Sequence, residues 1–533
     1  MSGARLTARL VVIGGGITGL TAAYRLAHAR EQGASVEETL IEASPRLGGV
    51  IQTERIDGFV VEAGPDSFLA EKPQAAALAR ELGLGDELIG SNDHARRTYI
   101  LHRGRLAPLP DGLMFMVPTR LWPLLTTPLL PFSATLAVAR EMLAGRPRGE
   151  REDESAASFL ERHFGRAMVE NIADPLLAGV YGGDSRALSA RSVLPRFWEL
   201  EQRFGSLTRA TLATKRARRR AAKRSTASGE WAAGPGAEFG YIPSAAAPEN
   251  RDIQNAPASA AAHRPPLFMT LRGGLGQMAQ KLAQRVRRIV AGRPVLALEP
   301  CSGGTILIRI EGGESYEAEG VVVCLPAHVA AGLTLALDHH LAALLDGIPY
   351  SSSVTVTLGF GSGVQHALPP GFGFLVPRKE GKRMLACTFV HGKFDYRVPE
   401  GQAMLRCFLG GWHDPEALKA GDREAVSSVR RELRDILGLT AEPLFYRVHR
   451  WPASMAQYVV GHAERVRAIE QRLEALPGVY LAGNAYSGIG ISDCIRTATA
   501  AAERALDYVA RARFRAEGSS GLDRDPPKRF CPA

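Results

Sequence analysis

An apolar run that ends in Gly14, Gly16 and Gly19, spaced as GxGxxG, constrains this chain more than any other feature. Residues 9–13 alternate and then run continuously apolar, the glycines come at once, and an amphipathic pattern continues through residue 29. That order reads as strand, tight turn and helix. A second apolar run, residues 38–42, ends in an acid, Glu42, and completes a βαβ unit. In such a unit the first glycine allows the turn, the second lets the backbone approach a pyrophosphate, and the third packs helix on strand. The helix N-terminus attracts the phosphates, and Glu42 would accept hydrogen bonds from a ribose. A lone pattern of this kind is weak, so the residues after Glu42 carry the decision.

The acid is followed by Ala43, Ser44, Pro45, Arg46, Leu47, Gly48 and Gly49. This run resembles the signature of the large FAD family that includes amine oxidases and phytoene desaturases; nicotinamide dehydrogenases do not usually continue this way. Two further segments agree. Gly64, Pro65, Asp66 and Ser67 resemble the family's loop beside the flavin, and residues 481–493, LAGNAYSGIGISD, resemble its C-terminal flavin motif. There Gly483 permits close backbone approach, and the helix N-terminus that follows Ile489, Gly490 to Asp493 with Ile491 in it, can hold negative charge near the flavin's pyrimidine ring. The resemblance implies FAD as cofactor. It also implies that Val295 meets the adenine end through its backbone and Trp451 the flavin edge, with an ordinary buried strand residue and a core tryptophan as the plainer readings. Arg46 is either a pyrophosphate neighbour or a solvated charge.

The chain has 533 residues, 45% of them hydrophobic, enough for two or three interleaved domains. Its six cysteines are scattered without a CxxC pair or metal-ligand spacing, so neither a disulfide framework nor a metal site is expected. Seven positive charges of the net +10 fall in KRARRRAAKR, residues 215–224, which opens an Ala/Ser/Pro/Gly-rich stretch. A solvated flexible insertion is expected there, not a nucleic-acid surface. The apolar run 121–139 is interrupted by Pro123, Pro128 and Pro131, which argues against a membrane span. No signal-peptide cleavage pattern follows the N-terminal apolar run, so the cytoplasm is the expected location. Helical periodicity dominates 155–212. A helix is expected over 267–289, then strands at 294–298, 305–311, 320–324, 353–360, 374–376, 383–390 and 403–410, with a strand at 479–482 and a final helix at 492–513. The middle strands, with few long helices between them, fit an antiparallel sheet.

Five more phrases narrow the resemblance: NIADPLLAGVYGGD from Asn171, LRGGLGQM from Leu271, GFGFLVP from Gly371, CTFVHGKFDYRVPEG from Cys387 and WPASMAQYVVGHAERV from Trp451. They are similar to segments of protoporphyrinogen and coproporphyrinogen oxidases. The implied fold is α/β: a Rossmann-like FAD-binding domain assembled from 1–95, 267–335 and 446–513, and an antiparallel-sheet substrate domain at 336–445. A helical excursion at 96–213 can touch membrane, 214–266 is a flexible insertion and 514–533 a tail. The resemblance puts the Gly179 carbonyl near the pyrrole nitrogens of a porphyrinogen, with Leu375 and Phe394 against its macrocycle; close packing and core burial are the plainer readings. The implied reaction is a six-electron oxidation of the porphyrinogen in haem biosynthesis, with O2 as acceptor and hydrogen peroxide as product, and it demands no strong catalytic base. No Ser-His-Asp or Cys-His constellation is apparent, and His339 and His340 read as ordinary surface or core residues. An amine oxidase, a carotenoid desaturase or a non-catalytic flavin-binding scaffold are the alternatives. A homodimer, peripheral contact with the inner face of the cell membrane and hand-over to the next haem-pathway enzyme are compatible with the reading. Relatives acting on protoporphyrinogen commonly place an arginine where this chain has Thr98. Arg97 next door could replace it only by a shift of register, so coproporphyrinogen III is preferred over protoporphyrinogen IX.

Overall fold

The structure, a computed structural model, describes residues 7–518 apart from 115, 119, 121, 147, 148, 150, 215 and 217–265. Nearly all of the expected insertion at 214–266 therefore lies outside the described residues. β1 (Ala8–Ile13) leads through the glycine turn into α1 (Ile17–Glu31), and β2 (Val36–Glu42) returns parallel to β1, pairing Val12 with Leu40 and Ile13 with Ile41. Three later segments complete a five-stranded parallel sheet in the order Ile289–Ala291, β2, β1, Gly320–Val323, Val479–Leu481. Both faces of such a sheet must be covered, which is why β1 and Gly320–Val323 read as nearly unbroken apolar runs. α1 and the last helix, Ile491–Gly518, pack together over one face. Leu20 and Leu26 are fully buried there, each worth about 1.5–3 kcal/mol.

A seven-stranded sheet forms the second layer, ordered Phe445–Ala456, Tyr350–Phe360, Ala403–Gly410, Met384–Phe389, Gly373–Leu375, Thr98–His102, Arg105–Pro108. All neighbours are antiparallel except Gly373–Leu375 with Thr98–His102. The amphipathic helix Asp422–Leu437 covers it with Val426, Val429 and Leu433. The helical block runs from Trp122–Thr126 to Pro195–Phe204 and includes a π-turn, Val169–Ala173, directly before the helix Asp174–Tyr181.

Several expectations are corrected. The segment 267–289 is not one helix: Phe268–Leu271 is a strand between Phe68–Leu69 and Leu88–Gly90, and the helix is only Gly276–Ala283. A short apolar run has no period that separates strand from helix, and here the partner strands decide. Residues 98–108 belong to the antiparallel sheet instead of the helical block, and so does Phe445–Ala456, which crosses the expected boundary at 446. The last helix continues to Gly518, into the expected tail.

Inside the helical block His163 is clamped between two buried carboxylates, with Nδ1 3.2 Å from Glu141 and Nε2 3.3 Å from Glu201. Arg162 also reaches Glu201, at 2.5 Å. Burial pulls the imidazole down, but its hydrogen bonds to Glu141 and Glu201 outweigh this and raise its pKa above the ordinary 6.5. Glu201 is lowered to about 2: burial opposes this, and the His163 and Arg162 hydrogen bonds overcome it. A raised histidine stabilises the fold fully below its unfolded pKa, and that contribution is lost as pH rises through the folded value. The melting temperature of the wild type should therefore fall on the alkaline side of 6.5, and the fall should be shallower in His163→Gln. Parallel curves would show that the clamp carries no proton-linked stability.

Candidate functional site

The turn after β1 is built by contacts that admit only glycine. Gly14 has φ +106°, and a Cβ on Gly19 would lie 1.7 Å from the Gly14 carbonyl oxygen. Gly16 is different: a Cβ there would meet nothing within 4 Å. The glycine at the mouth of α1 thus opens onto free space at a helix N-terminus, where a pyrophosphate has room. Gly48 forms a bridge with Gly16 and donates its N–H to the Gly15 carbonyl at 2.8 Å, and Gly49 lies against the Gly16 Cα. Glu42 stands at the end of β2 beside this turn and accepts from the Gly15 N–H at 2.5 Å and the Ser44 N–H at 2.8 Å. Its carboxylate therefore organises the loop. Arg46 folds over the same loop, donating to the Leu47 and Gly49 carbonyls. Val295 begins a strand just after Arg293, whose N–H is donated to the Glu42 carbonyl, so it lies near the end of β2.

The other two segments similar to flavin motifs pack beside this turn and against each other. The Gly64 backbone packs tightly on Val50: a Cβ on Gly64 would be 1.9 Å from the Val50 carbonyl. Pro65, Asp66 and Ser67 follow as half-buried residues. Trp451 donates its indole N–H to the Ala63 carbonyl at 3.1 Å, and Asn484 donates to the Ser454 carbonyl at 3.0 Å, tying Trp451, Ala63 and the segment after Gly483 into one wall. Gly483 has φ +138° and open space at its Cβ position. Ile489 and Gly490 lead to the helix that starts at Ile491, whose first-turn Asp493 is paired to Lys72 at 2.6 Å. The Tyr486 hydroxyl in this segment is buried with no partner.

At another place three separated phrases meet. Gly179 lies in the last turn of Asp174–Tyr181, where carbonyls run out of intrahelical donors, and a Cβ on it would be 3.1 Å from Leu375. Gln457 donates to the Tyr181 carbonyl at 2.7 Å, and Met455 fills the space beside Gly182. Phe394 is 2% exposed, with the Lys393 ammonium 5.0 Å from the centre of its ring. Arg97 is not brought to the Leu375 face. Leu375 pairs with Ile100, so Thr98 and Ile100 share its side of the sheet, and Arg97 precedes the strand on the alternate side, exposed.

The sequence reading missed a buried ionic network behind Asp66. Lys393 donates to both Asp66 oxygens at 3.0 and 3.1 Å and to Ser67 at 3.1 Å. Arg406 donates to the Ala63 and Gly64 carbonyls, and Arg397 pairs with Glu62 at 3.0 Å. Burial would raise the Asp66 pKa, but Lys393 and Arg406 hold it well below the ordinary carboxylate range. The readable signal was Arg406 itself, a lone charge inside the apolar strand AMLRCFLG.

A family model described as flavin containing amine oxidoreductase matches residues 17–506. The chain belongs to that family. It is an oxidoreductase, and FAD is its cofactor. The open cradle at Gly16, the Glu42 carboxylate and the space at Gly483 fit that group. Among relatives, the coproporphyrinogen III oxidase of Bacillus subtilis (strain 168) is 32% identical over 94% of this chain and 98% of its own length. Protoporphyrinogen oxidase 1, chloroplastic, of Arabidopsis thaliana is 26% identical over 96% of this chain and 90% of its own. A solved structure of a putative protoporphyrinogen oxidase from Exiguobacterium sp. 255-15 superposes with a TM-score of 0.77 at 29% identity, covering 94% of this chain and 99% of that one.

The two glycines separate cofactor space from packing. Gly16→Val should leave the apo-protein's melting temperature unchanged within about 2 °C, on the order of 0.5 kcal/mol, while purified flavin content falls at least tenfold. Gly19→Ala should lower apo stability by about 1–3 kcal/mol through overpacking. Full FAD occupancy in Gly16→Val would displace the pyrophosphate from this turn.

Proposed function

We propose that this chain oxidises a porphyrinogen to the porphyrin in haem biosynthesis, with coproporphyrinogen III as substrate and O2 as the electron acceptor. The observation that carries the reading is the convergence of Gly179, Leu375 and the Tyr181–Gln457 contact at one place, each from a phrase similar to porphyrinogen oxidases. Bound FAD supplies the two-electron acceptor. The protein's task is to hold a saturated bridging carbon of the macrocycle toward the cofactor and keep water away. Leu375 supplies an apolar wall, and the Gly179 carbonyl an acceptor for pyrrole N–H groups as they gain positive character. The adjacent pyrrole nitrogens delocalise the charge left by hydride removal, so proton loss from an N–H completes each step without a strong base.

The preference for coproporphyrinogen III rests on the face argument. Thr98 occupies the side shared with Leu375 and Arg97 lies on the other, so the Arg97 guanidinium is not aimed at a propionate from the Leu375 side. The higher identity to the coproporphyrinogen III oxidase relative agrees. In purified enzyme kcat/KM should favour coproporphyrinogen III over protoporphyrinogen IX by tenfold or more, and Arg97→Ala should change either value less than threefold. A preference for protoporphyrinogen IX that collapses in Arg97→Ala would reverse the assignment.

The helical block supports peripheral membrane contact of a cytoplasmic enzyme. Trp122, Phe132, Leu136 and Leu143 are 74%, 68%, 56% and 83% exposed, close together along the proline-broken segment. Among the described residues no helix is long and apolar enough to cross a membrane. Such side chains bind a bilayer surface reversibly. Alkali should release the enzyme from membranes without detergent, and Phe132→Ser with Leu143→Ser should weaken its co-sedimentation with anionic vesicles several-fold; retention until detergent is added would overturn a peripheral mode.

A further inference from the structure

The ionic network behind Asp66 encloses a cavity of about 10 Å³, walled by Glu62, Asp66, Thr357, Phe394, Arg397 and Arg406 among others. That is space for roughly one water-sized sphere. The two carboxylates in its wall are already satisfied. Glu62 accepts from Arg397 at 3.0 Å, Leu275 N–H at 2.7 Å and Thr53 at 2.7 Å; Asp66 accepts from Ser67 at 2.6 Å and from Lys393. The unsatisfied groups in the wall are donors: Arg397 Nε, Arg406 Nε and the Thr357 hydroxyl are buried without a partner, in residues 2%, 5% and 1% exposed. Three cations, Lys393, Arg397 and Arg406, serve two acids, so one positive charge is left over in a dry interior. A buried charge without a counter-charge is costly.

We propose that this cavity is a binding site for one small monovalent anion of the halide class, held by Thr357, Arg397 and Arg406. Unsatisfied donors and surplus positive charge both ask for an acceptor that carries negative charge, and a single sphere matches the space. The neighbourhood responds to the same field. Burial and then the Arg406 charge depress the pKa of His449, and burial, only partly offset by Asp66, depresses that of Lys393. The site lies directly behind the Ala63–Gly64 carbonyls that Arg406 holds, so its occupant braces the loop that carries Asp66.

Bromide is the probe. Crystals of the full-chain holoenzyme grown in sodium bromide should show one anomalous peak in the cavity, lost in the isosteric Thr357→Val and kept in Thr357→Ser, which retains the hydroxyl. In solution, bromide should raise the melting temperature saturably relative to gluconate at equal ionic strength, with the half-saturating concentration at least tenfold higher in Thr357→Val. An absent peak in the wild type would mean that the cavity holds water alone. A peak of equal height in Thr357→Val would also overturn the site as assigned, because the hydroxyl would then not be a ligand.

Discussion

Lys393, from a short helix, and Arg406, from the antiparallel sheet, reach across to the loop at residues 63–67, and the rest of the architecture depends on that crossing. Lys393 closes the short helix Val390–Lys393, Arg397 comes just after it, and Arg406 belongs to the strand Ala403–Gly410. Glu62, Asp66 and Thr270 belong to the nucleotide-binding side. In water such ion pairs would be worth little, but buried groups lose more when a partner is removed than they gain when it is present. The network therefore acts as a register lock more than as a source of stability. It helps to set where the antiparallel sheet meets the loop at residues 63–67.

The glycine turn is the second constraint, and it is local. Gly19 is required by the Gly14 carbonyl inside the βαβ unit, and Gly14 by its φ of +106° and by the Cys324 carbonyl after the strand Gly320–Val323, while a Cβ on Gly16 would meet nothing within 4 Å. The absence of a side chain there leaves the mouth of α1 open. Gly483 differs, because its φ of +138° calls for glycine by itself, whatever the space beside it. At Gly179 Leu375 already occupies the neighbouring volume, and the glycine permits a close approach.

The helical block joins the two sheets differently. Its core, with Phe159, Phe164, Met168 and Phe197, is continuous with residues of the parallel sheet such as Val11 and Val323. The π-turn Val169–Ala173 offsets the next helix, so that Gly179 arrives in front of Leu375. Irregular turns of this kind often sit at functional sites because they re-aim a helix without breaking it. The clamp at His163 holds the outer helix Phe132–Glu141 to this core, which leaves the apolar residues Phe132 and Leu136 directed outward.

The nucleotide turn, the order of its flanking elements and most strands of the second sheet were legible from the residues alone, because each is decided within a few neighbours: a period, a turn, an apolar run. Local pattern was insufficient at Phe268–Leu271, where two partner strands override an ambiguous run, and at Phe445–Ala456, whose charged residues hide a strand paired along its length with Tyr350–Phe360. The tertiary structure alone decided which side of the sheet Arg97 takes and where Phe394 is buried. It alone brought Lys393 to Asp66 across 327 residues and Arg406 to Gly64 across 342. The physical reason is one of range. Backbone preferences and side-chain periodicity act over a turn or a strand, whereas a buried charge finds its partner only after sheet register has fixed which residues share a face.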